Sequence, residues 1–369
     1  MNLMSNKKSI AYLFKSGRVE RSQSNNEYPD DFFYGYQYVK NNNENTIIVD
    51  ITKIGVSGPM NVVMTALTIP FLYVTGLHFT VILRLLNKNR IEKLNKYDVL
   101  IASTASLGTA IALLNTLGII KSKLVFIVIG IGDLLNNPLR RYMLRNVLKN
   151  TIVVSVSKGE IEHINKVLDE SINIKYLPFG VDHKYWKPSV DASLNYVLSI
   201  GNDLNRDYEI LLSVWKPDYP ELKIITRHNI KSNLNNVTII KGDWNEQVLS
   251  DDQIRTYIQE ANFIIVPVRQ TSQPSGQSFC LQSMACGKAV IMSNIIGLWD
   301  RVSLVNQENC LLYEPGNKES LKVCVEKMID QYSMKEKIGL EARKLIDYKF
   351  NSDVTGKTML SYLNSAVSS

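Results

Sequence analysis

Twice along its length this chain lays out short, continuously apolar runs rich in β-branched residues, separated by stretches with helical spacing. The first series is residues 9–14, 46–50, 99–102, 124–129 and 152–155, with helical segments such as 106–117 and 138–148 between them. The second is residues 196–200, 223–226, 237–241, 263–266, 289–292 and 310–313. Strands without polar alternation are covered on both faces, which is the pattern of a parallel sheet between layers of helices. Two complete series predict two doubly wound, Rossmann-like α/β domains facing a cleft, residues 1–188 and 189–369. The polar segment 180–194, which holds Trp186 and Pro188, is the expected linker. Beyond Lys318 the pattern is helical, and the final helix is expected to pack back on the first domain. Ligands of such sheets lie beyond the carboxyl ends of the strands, so each domain is expected to hold one substrate.

The 369 residues are 45% apolar and 21% charged, which excludes a disordered or collagen-like chain. Four cysteines, Cys280, Cys286, Cys310 and Cys324, with no Cys-x-x-Cys pair, make neither a disulfide framework nor a structural zinc site. They point to a reduced, cytoplasmic setting. His78, His163, His183 and His228 have no metal-ligand spacing with cysteines or carboxylates, and Walker and Gly-x-Gly-x-x-Gly loops are absent. Charge is uneven: the first 188 residues carry +9 and the rest −2. A basic first half prepares a face for an anion, and without a nucleic-acid motif a lipid headgroup or phosphorylated acceptor ranks above nucleic acid.

Residues 1–8 are polar, and the apolar stretch behind them is too short for a secretory leader. Residues 60–83 hold no Asp, Glu, Lys or Arg, but Asn61, Pro70, Gly76 and His78 interrupt them. The segment is read as buried or interfacial rather than spanning. Lys88, Arg90, Lys93 and Lys96 follow directly, an order that fits peripheral contact with the anionic inner face of a membrane.

The densest chemical signal is QPSGQSFCLQSMACGKAVIMSNIIGLWD, residues 273–300. A strand ends just before it, and Ser275-Gly276-Gln277-Ser278 opens a helix that closes near Cys286-Gly287, with Gly287 at the left-handed C′ position. A helix N-terminus beyond a strand end presents free N–H groups and a positive dipole end to an anion. Gly276 would admit a diphosphate close to the backbone, Ser275 would cap the helix, and Ser278 would donate to phosphate. The competing reading is a well-capped structural helix.

This stretch resembles the donor-binding signature of retaining GT-B-fold glycosyltransferases of family 4, whose usual form is Glu-Pro-Phe-Gly, a short run, then Glu-Ala-Met-Ala-Cys-Gly-Lys-Pro-Val-Ile. Gln282-Ser283-Met284-Ala285-Cys286-Gly287-Lys288-Ala289-Val290-Ile291 matches its second half. Pro178-Phe179-Gly180-Val181-Asp182, with Tyr185 and Pro188, is similar to the family's junction segment. Ser199-Ile200-Gly201-Asn202-Asp203, then Arg206-Asp207-Tyr208, is similar to its Gly-Arg-Leu loop. Both signature glutamates are replaced. Gln282 stands at the second, which in the family binds the nucleotide ribose. Pro274 stands at the first by strict count, or Gln273 if one residue is inserted. That position lies near the donor sugar.

The resemblance implies Arg206 and Gln273 at the reacting centre. It implies Gly201, Asn202, Arg206, Arg227, Gly242, Trp244, Ser275, Gly276, Gln277, Ser278 and Gln282 around the donor. Arg206 is read on the diphosphate, with an ion pair to Asp203 or Asp207 as the alternative, and Trp244 on the base or in the core. Gly17, Arg18 and Asp133 mark a first-domain loop near donor or acceptor. Asp251-Asp252 is read as a helix cap before Ile254. The family implies no bound metal.

The sequence therefore reads as a glycosyltransferase moving a sugar from a nucleoside-diphosphate sugar to a saccharide or lipid-linked acceptor. Transfer is expected with retention, in surface polysaccharide or glycolipid synthesis. The alternatives are an inactive glycosyltransferase-like binding or scaffold protein and a nucleotide-sugar epimerase.

Overall fold

The computed structural model describes residues 8–14, 17–23, 28–51, 68–168, 171–189, 195–242 and 249–368. In the first half the strands are β1 (Ile10–Phe14), β2 (Thr46–Asp50), β3 (Val99–Ala102), β4 (Lys123–Val128), β5 (Ile152–Ser155) and β6 (Ile174–Tyr176). Between them lie α1 (Arg18–Gln23), α2 (Tyr36–Asn42), α3 (Thr68–Thr75), α4 (Phe79–Leu85), α5 (Lys88–Leu94), α6 (Ala105–Thr116), α7 (Pro138–Leu148) and α8 (Lys158–Leu168). The second half has β7 (Tyr196–Ile200), β8 (Glu221–Thr226), β9 (Val237–Lys241), β10 (Ala261–Val266), β11 (Val290–Ser293) and β12 (Leu311–Tyr313). Its helices are α9 (Tyr208–Val214), α10 (Asp251–Glu260), α11 (Gln277–Ala285), α12 (Lys318–Asp330), α13 (Tyr332–Tyr348) and α14 (Ser352–Ser368).

Each half forms one six-stranded, all-parallel sheet, so the fold is two doubly wound α/β layers as the apolar runs predict. The first sheet has the order β2-β1-β3-β4-β5-β6, and the second β12-β11-β10-β7-β8-β9. Strand order therefore reverses between β1 and β3 in one sheet and between β7 and β10 in the other. Those two switch points are where loops part and leave room for a ligand. Every residue of β1, β3 and β7 is buried. β6 escapes sequence reading because it is three residues long and only half-buried.

The chain divides into two compact units. One holds residues 33–177 with both chain ends, from Gly356 onward at the C-terminal side. Its last helix is bound to its own sheet: Tyr362 donates to the Tyr176 carbonyl at 2.6 Å and Lys123 to that of Ala366 at 2.7 Å. The other holds Pro178–Thr355 and, separately, Tyr28–Phe32. The segment expected as a linker is part of this second unit. Val181 pairs with Asn351, and Trp186 is 1% exposed, its indole N–H donating to Asp31 at 2.9 Å. Aromatic bulk and a buried polar partner hold it in the core. Residues 190–194 of that segment lie outside the described residues.

Two helix starts differ from expectation. The cap of α11 is Gly276, not Ser275, and that of α10 is Ser250, whose capping box with Gln253 leaves Asp251 and Asp252 in the first turn. All four cysteines are buried and unpaired. No helix among the described residues is long and apolar enough to cross a membrane. Only the pair α3–α4, bent by 106°, passes by length and composition together.

α11 is fixed from behind by α13. A Cβ on Gly339 would stand 2.3 Å from the carbonyl oxygen of Gly287, which ends α11 with φ +73°. Gly339→Ala in a helix interior gains up to about 1 kcal/mol of helix propensity. Overpacking against rigid backbone costs about 1–3 kcal/mol. The expected outcome is a net fall of a few degrees in Tm by calorimetry.

Candidate functional site

The second switch point gathers most of the residues named from sequence. After β7 the chain turns at Gly201 and runs across the end of β10: Asp207 N–H bonds the Pro267 carbonyl at 3.0 Å, and Arg269 N–H bonds that of Asn205 at 2.8 Å. Arg206 pairs with Val268 as an antiparallel bridge. Its side chain lies between two glycines. A Cβ on Gly201 would meet Nε at 2.0 Å, and one on Gly276 would meet Nη1 at 3.0 Å and Val266 at 2.5 Å. Gly276 also has φ +81°, which an L side chain rarely adopts. Only glycine at both positions leaves room for this guanidinium.

Arg206 is 6% exposed, so the ion pair weighed from sequence joins a buried guanidinium to a half-exposed carboxylate, with Asp203 Oδ2 at 2.8 Å from Nε. That contact is an ion pair without a hydrogen bond, and among the described residues neither Nε nor Nη1 has a hydrogen-bond partner. A buried guanidinium short of acceptors is only partly compensated by one carboxylate. It stands beside the N-terminus of α11, where the helix dipole adds positive potential. Both favour an anion with several acceptor oxygens, and Arg presents a planar fork to phosphate.

Hydrogen bonds tie the rest together. Asn202 donates to the Gly242 carbonyl at 2.8 Å and accepts from the Arg227 N–H at 2.7 Å, which joins the ends of β7, β8 and β9. Thr226 and Tyr208 each donate to the Gly201 carbonyl at 2.8 Å. Asn205 donates to Ser275 Oγ at 3.0 Å, linking the β7 loop to the start of α11. Arg227 is exposed, Gln277 buried and Ser278 half-buried at this mouth. Half-buried Gln273 shapes the turn before α11, its carbonyl accepting from Ser275 N–H at 2.8 Å. Trp244 lies outside the described residues. Among the described residues no group of three or more His, Cys, Asp or Glu could hold a metal ion.

Gln282 faces elsewhere. Its amide donates at 2.7 Å to Asp31, a carboxylate 2% exposed that also accepts from Trp186 and, at 2.6 Å, from the Asp182 N–H. Burial pushes Asp31 up to about 7, against hydrogen bonds from Gln282, Asp182 and Trp186 that pull it down. Asp31 gave no sequence signal, because 251 residues separate it from its amide partner. Arg343 completes this knot by donating to the carbonyls of Trp186, His183 and Ala285.

At the first sheet's switch point, Gly17 turns with φ +87°, and Arg18 donates to Ser103 at 3.3 Å, spanning the ends of β1 and β3. Its guanidinium lies 5.1 Å from the Phe14 ring centre. Asp133 sits in a short 3-10 turn. Glu160 underpins that turn: fully buried, it accepts from Ile131 N–H at 2.8 Å and from Ser155 at 3.1 Å. Burial raises it to about 7, and the N–H donors oppose the rise.

With this geometry established, known proteins are informative. No protein-family model matches the sequence, and no curated protein does. Solved structures match throughout. HepE of Anabaena, solved with UDP-glucose, aligns at TM-score 0.67 and 13% identity over 96% of this chain and 99% of that one. A glycosyltransferase of Rickettsia africae aligns at 0.66 and 16% over 98% and 99%. Sucrose-phosphate synthase of Thermosynechococcus elongatus aligns at 0.62 and 15% over 74% of each. The chain has the GT-B fold of glycosyltransferases.

Gly201→Ala is expected to displace the Arg206 side chain while leaving the sheet intact. The check is loss of nucleotide affinity at nearly unchanged far-UV dichroism. A pH dependence also follows. Asp31 and Glu160 bind protons more tightly folded than unfolded, so their contribution to stability is fully present below about pH 4 and is lost as pH rises towards 7. Gln282→Glu would set a second carboxylate against Asp31. The Tm of that variant should fall more steeply than wild type between about pH 5 and 8.

Proposed function

We propose that this chain is a glycosyltransferase whose second unit holds a nucleoside-diphosphate sugar at the β7–β10 switch point. The observation that carries the reading is Arg206: buried, partly unpartnered, and seated between Gly201 and Gly276 at the N-terminus of α11. A diphosphate oxygen would complete its hydrogen bonds. The same group would stabilise charge developing on the leaving diphosphate, without a resident metal. Asn202 and Gly242 would border the nucleoside, and Gln273 would lie towards the sugar.

Transfer would proceed with retention, by front-face attack assisted by the leaving phosphate. The first unit would present a saccharide or lipid-linked acceptor near its own switch point, by Gly17, Arg18 and Asp133, as in surface polysaccharide or glycolipid synthesis. The basic first half suits work at an anionic membrane surface. HepE structures contain UDP and UDP-glucose, so uridine donors come first among candidates.

Gln282 is the weakest part of the resemblance. With its amide bound to Asp31, it would offer the ribose at most its carbonyl oxygen.

The test is isothermal calorimetry with UDP, GDP, ADP and their sugar conjugates on wild type and Arg206→Ala. One nucleotide is expected to bind, with affinity falling at least about tenfold in the variant, since a hydrogen bond to a charged group contributes about 1.5–3 kcal/mol. Absence of binding by all of them overturns the donor site.

A further inference from the structure

The helix α3 is apolar on both sides. Its inner side reaches the first unit's core: Phe71 meets Phe79 with ring centres 5.2 Å apart and packs on the buried cluster that includes Leu77 and Ile82. Its outer side holds Ile69, Pro70, Tyr73 and Val74, all exposed, with Tyr73 70% and Ile69 65% exposed. An ordinary surface helix would carry charged residues there. Residues 68–75 carry none.

α7 extends the surface. Arg140 joins the two helices, its Nε donating to the Tyr73 carbonyl at 2.7 Å and its guanidinium 5.1 Å from the Tyr73 ring centre. Leu144 and Arg140 also pack on Gly76, whose φ of +75° ends α3 and turns the chain into α4. On the solvent side of α7 are Leu139 and Tyr142, 47% and 65% exposed, and the exposed cations Arg145 and Lys149. Exposed aliphatic and tyrosyl side chains bordered by arginine and lysine form a surface with two chemistries at once.

We infer that the outer faces of α3 and α7 dock on an anionic lipid bilayer, with Ile69, Tyr73, Val74 and Tyr142 entering the headgroup region and Arg145 and Lys149 facing lipid phosphates. Charge complementarity selects this occupant. The surface belongs to the half of the chain that carries +9, and cations border the apolar side chains where an interfacial segment needs them. Tyrosine suits the interface because its ring is apolar and its hydroxyl wet. The 106° bend between α3 and α4 and the packing of Phe71 into the core fit a helix lying on the bilayer rather than crossing it. This deepens the proposal of work at a membrane by naming the surface, and it does not depend on the donor site.

The test is flotation of the full chain with vesicles of phosphatidylcholine alone or mixed with phosphatidylglycerol, at low and high salt. Wild type should float with the mixed vesicles at low salt and much less with neutral ones. Tyr73→Ser with Tyr142→Ser should reduce the bound fraction on both. Arg145→Glu with Lys149→Glu should weaken mixed-vesicle binding by about tenfold or more, because each cation near such a surface contributes about 1 kcal/mol. Both variants should keep the wild-type Tm and nucleotide affinity, which separates failure of this surface from failure of the donor site. Wild type that does not float, or variants that float as it does, overturn the inference. So does light scattering that shows a dimer lost with Tyr73 and Tyr142, since the face would then meet a second copy.

Discussion

A guanidinium taken out of water, with Nε and Nη1 lacking hydrogen-bond partners among the described residues, is the constraint on which the second unit's loops depend. Arg206 can occupy its place only because Gly201 and Gly276 lack side chains. It is brought there by the loop after β7, which pairs with the segment following β10. Asp203 offsets part of the buried charge without completing its hydrogen bonds. Folding therefore fixes the electrostatics of this switch point. The sheet order reverses at that point, so the geometry of the layer and the chemistry of the arginine coincide.

A second buried charge organises the opposite side of α11. Asp31 reaches into the unit formed by Pro178–Thr355 although its neighbours from Phe33 onward belong to the other unit. It collects donors from Gln282, Trp186 and the Asp182 N–H. Gln282 and Trp186 are buried and Asp182 half-buried, so the carboxylate satisfies three donors with little access to water. α11 thus has one end aimed at Arg206 and its Gln282 tied to Asp31, with α13 behind it. An amide rather than a carboxylate at position 282 suits this packing. An amide donates to Asp31, whereas a carboxylate would repel it.

Much of the fold was legible because parallel strands buried on both faces are written as uninterrupted apolar runs. Residues 99–102, 152–155 and 196–200 have the bounds the sequence suggests, and so do the more exposed strands 46–50 and 237–241, whose β-branched residues mark them. β6 was not legible, being short and half-buried. The α10 cap was misplaced by one residue because Ser250, Asp251 and Asp252 are all good caps, and only the reciprocal bond from Gln253 selects Ser250. Residues 180–189 looked like a linker because they are polar and hold Pro188. Burial of Trp186 on Asp31 makes that stretch part of the second unit.

Arg206 is implied by the family resemblance, whereas local pattern by itself determined the two parallel sheets and a helix opening at residues 275–278 beyond a strand end. These depend on periodicity and on residues near one another in the chain. Tertiary structure decided what those residues touch. Arg206 is buried and partly unpartnered, Gln282 serves Asp31, and Glu160 supports the turn that holds Asp133. Burial and hydrogen-bond partnership depend on groups tens to hundreds of residues apart, and no local pattern encodes them.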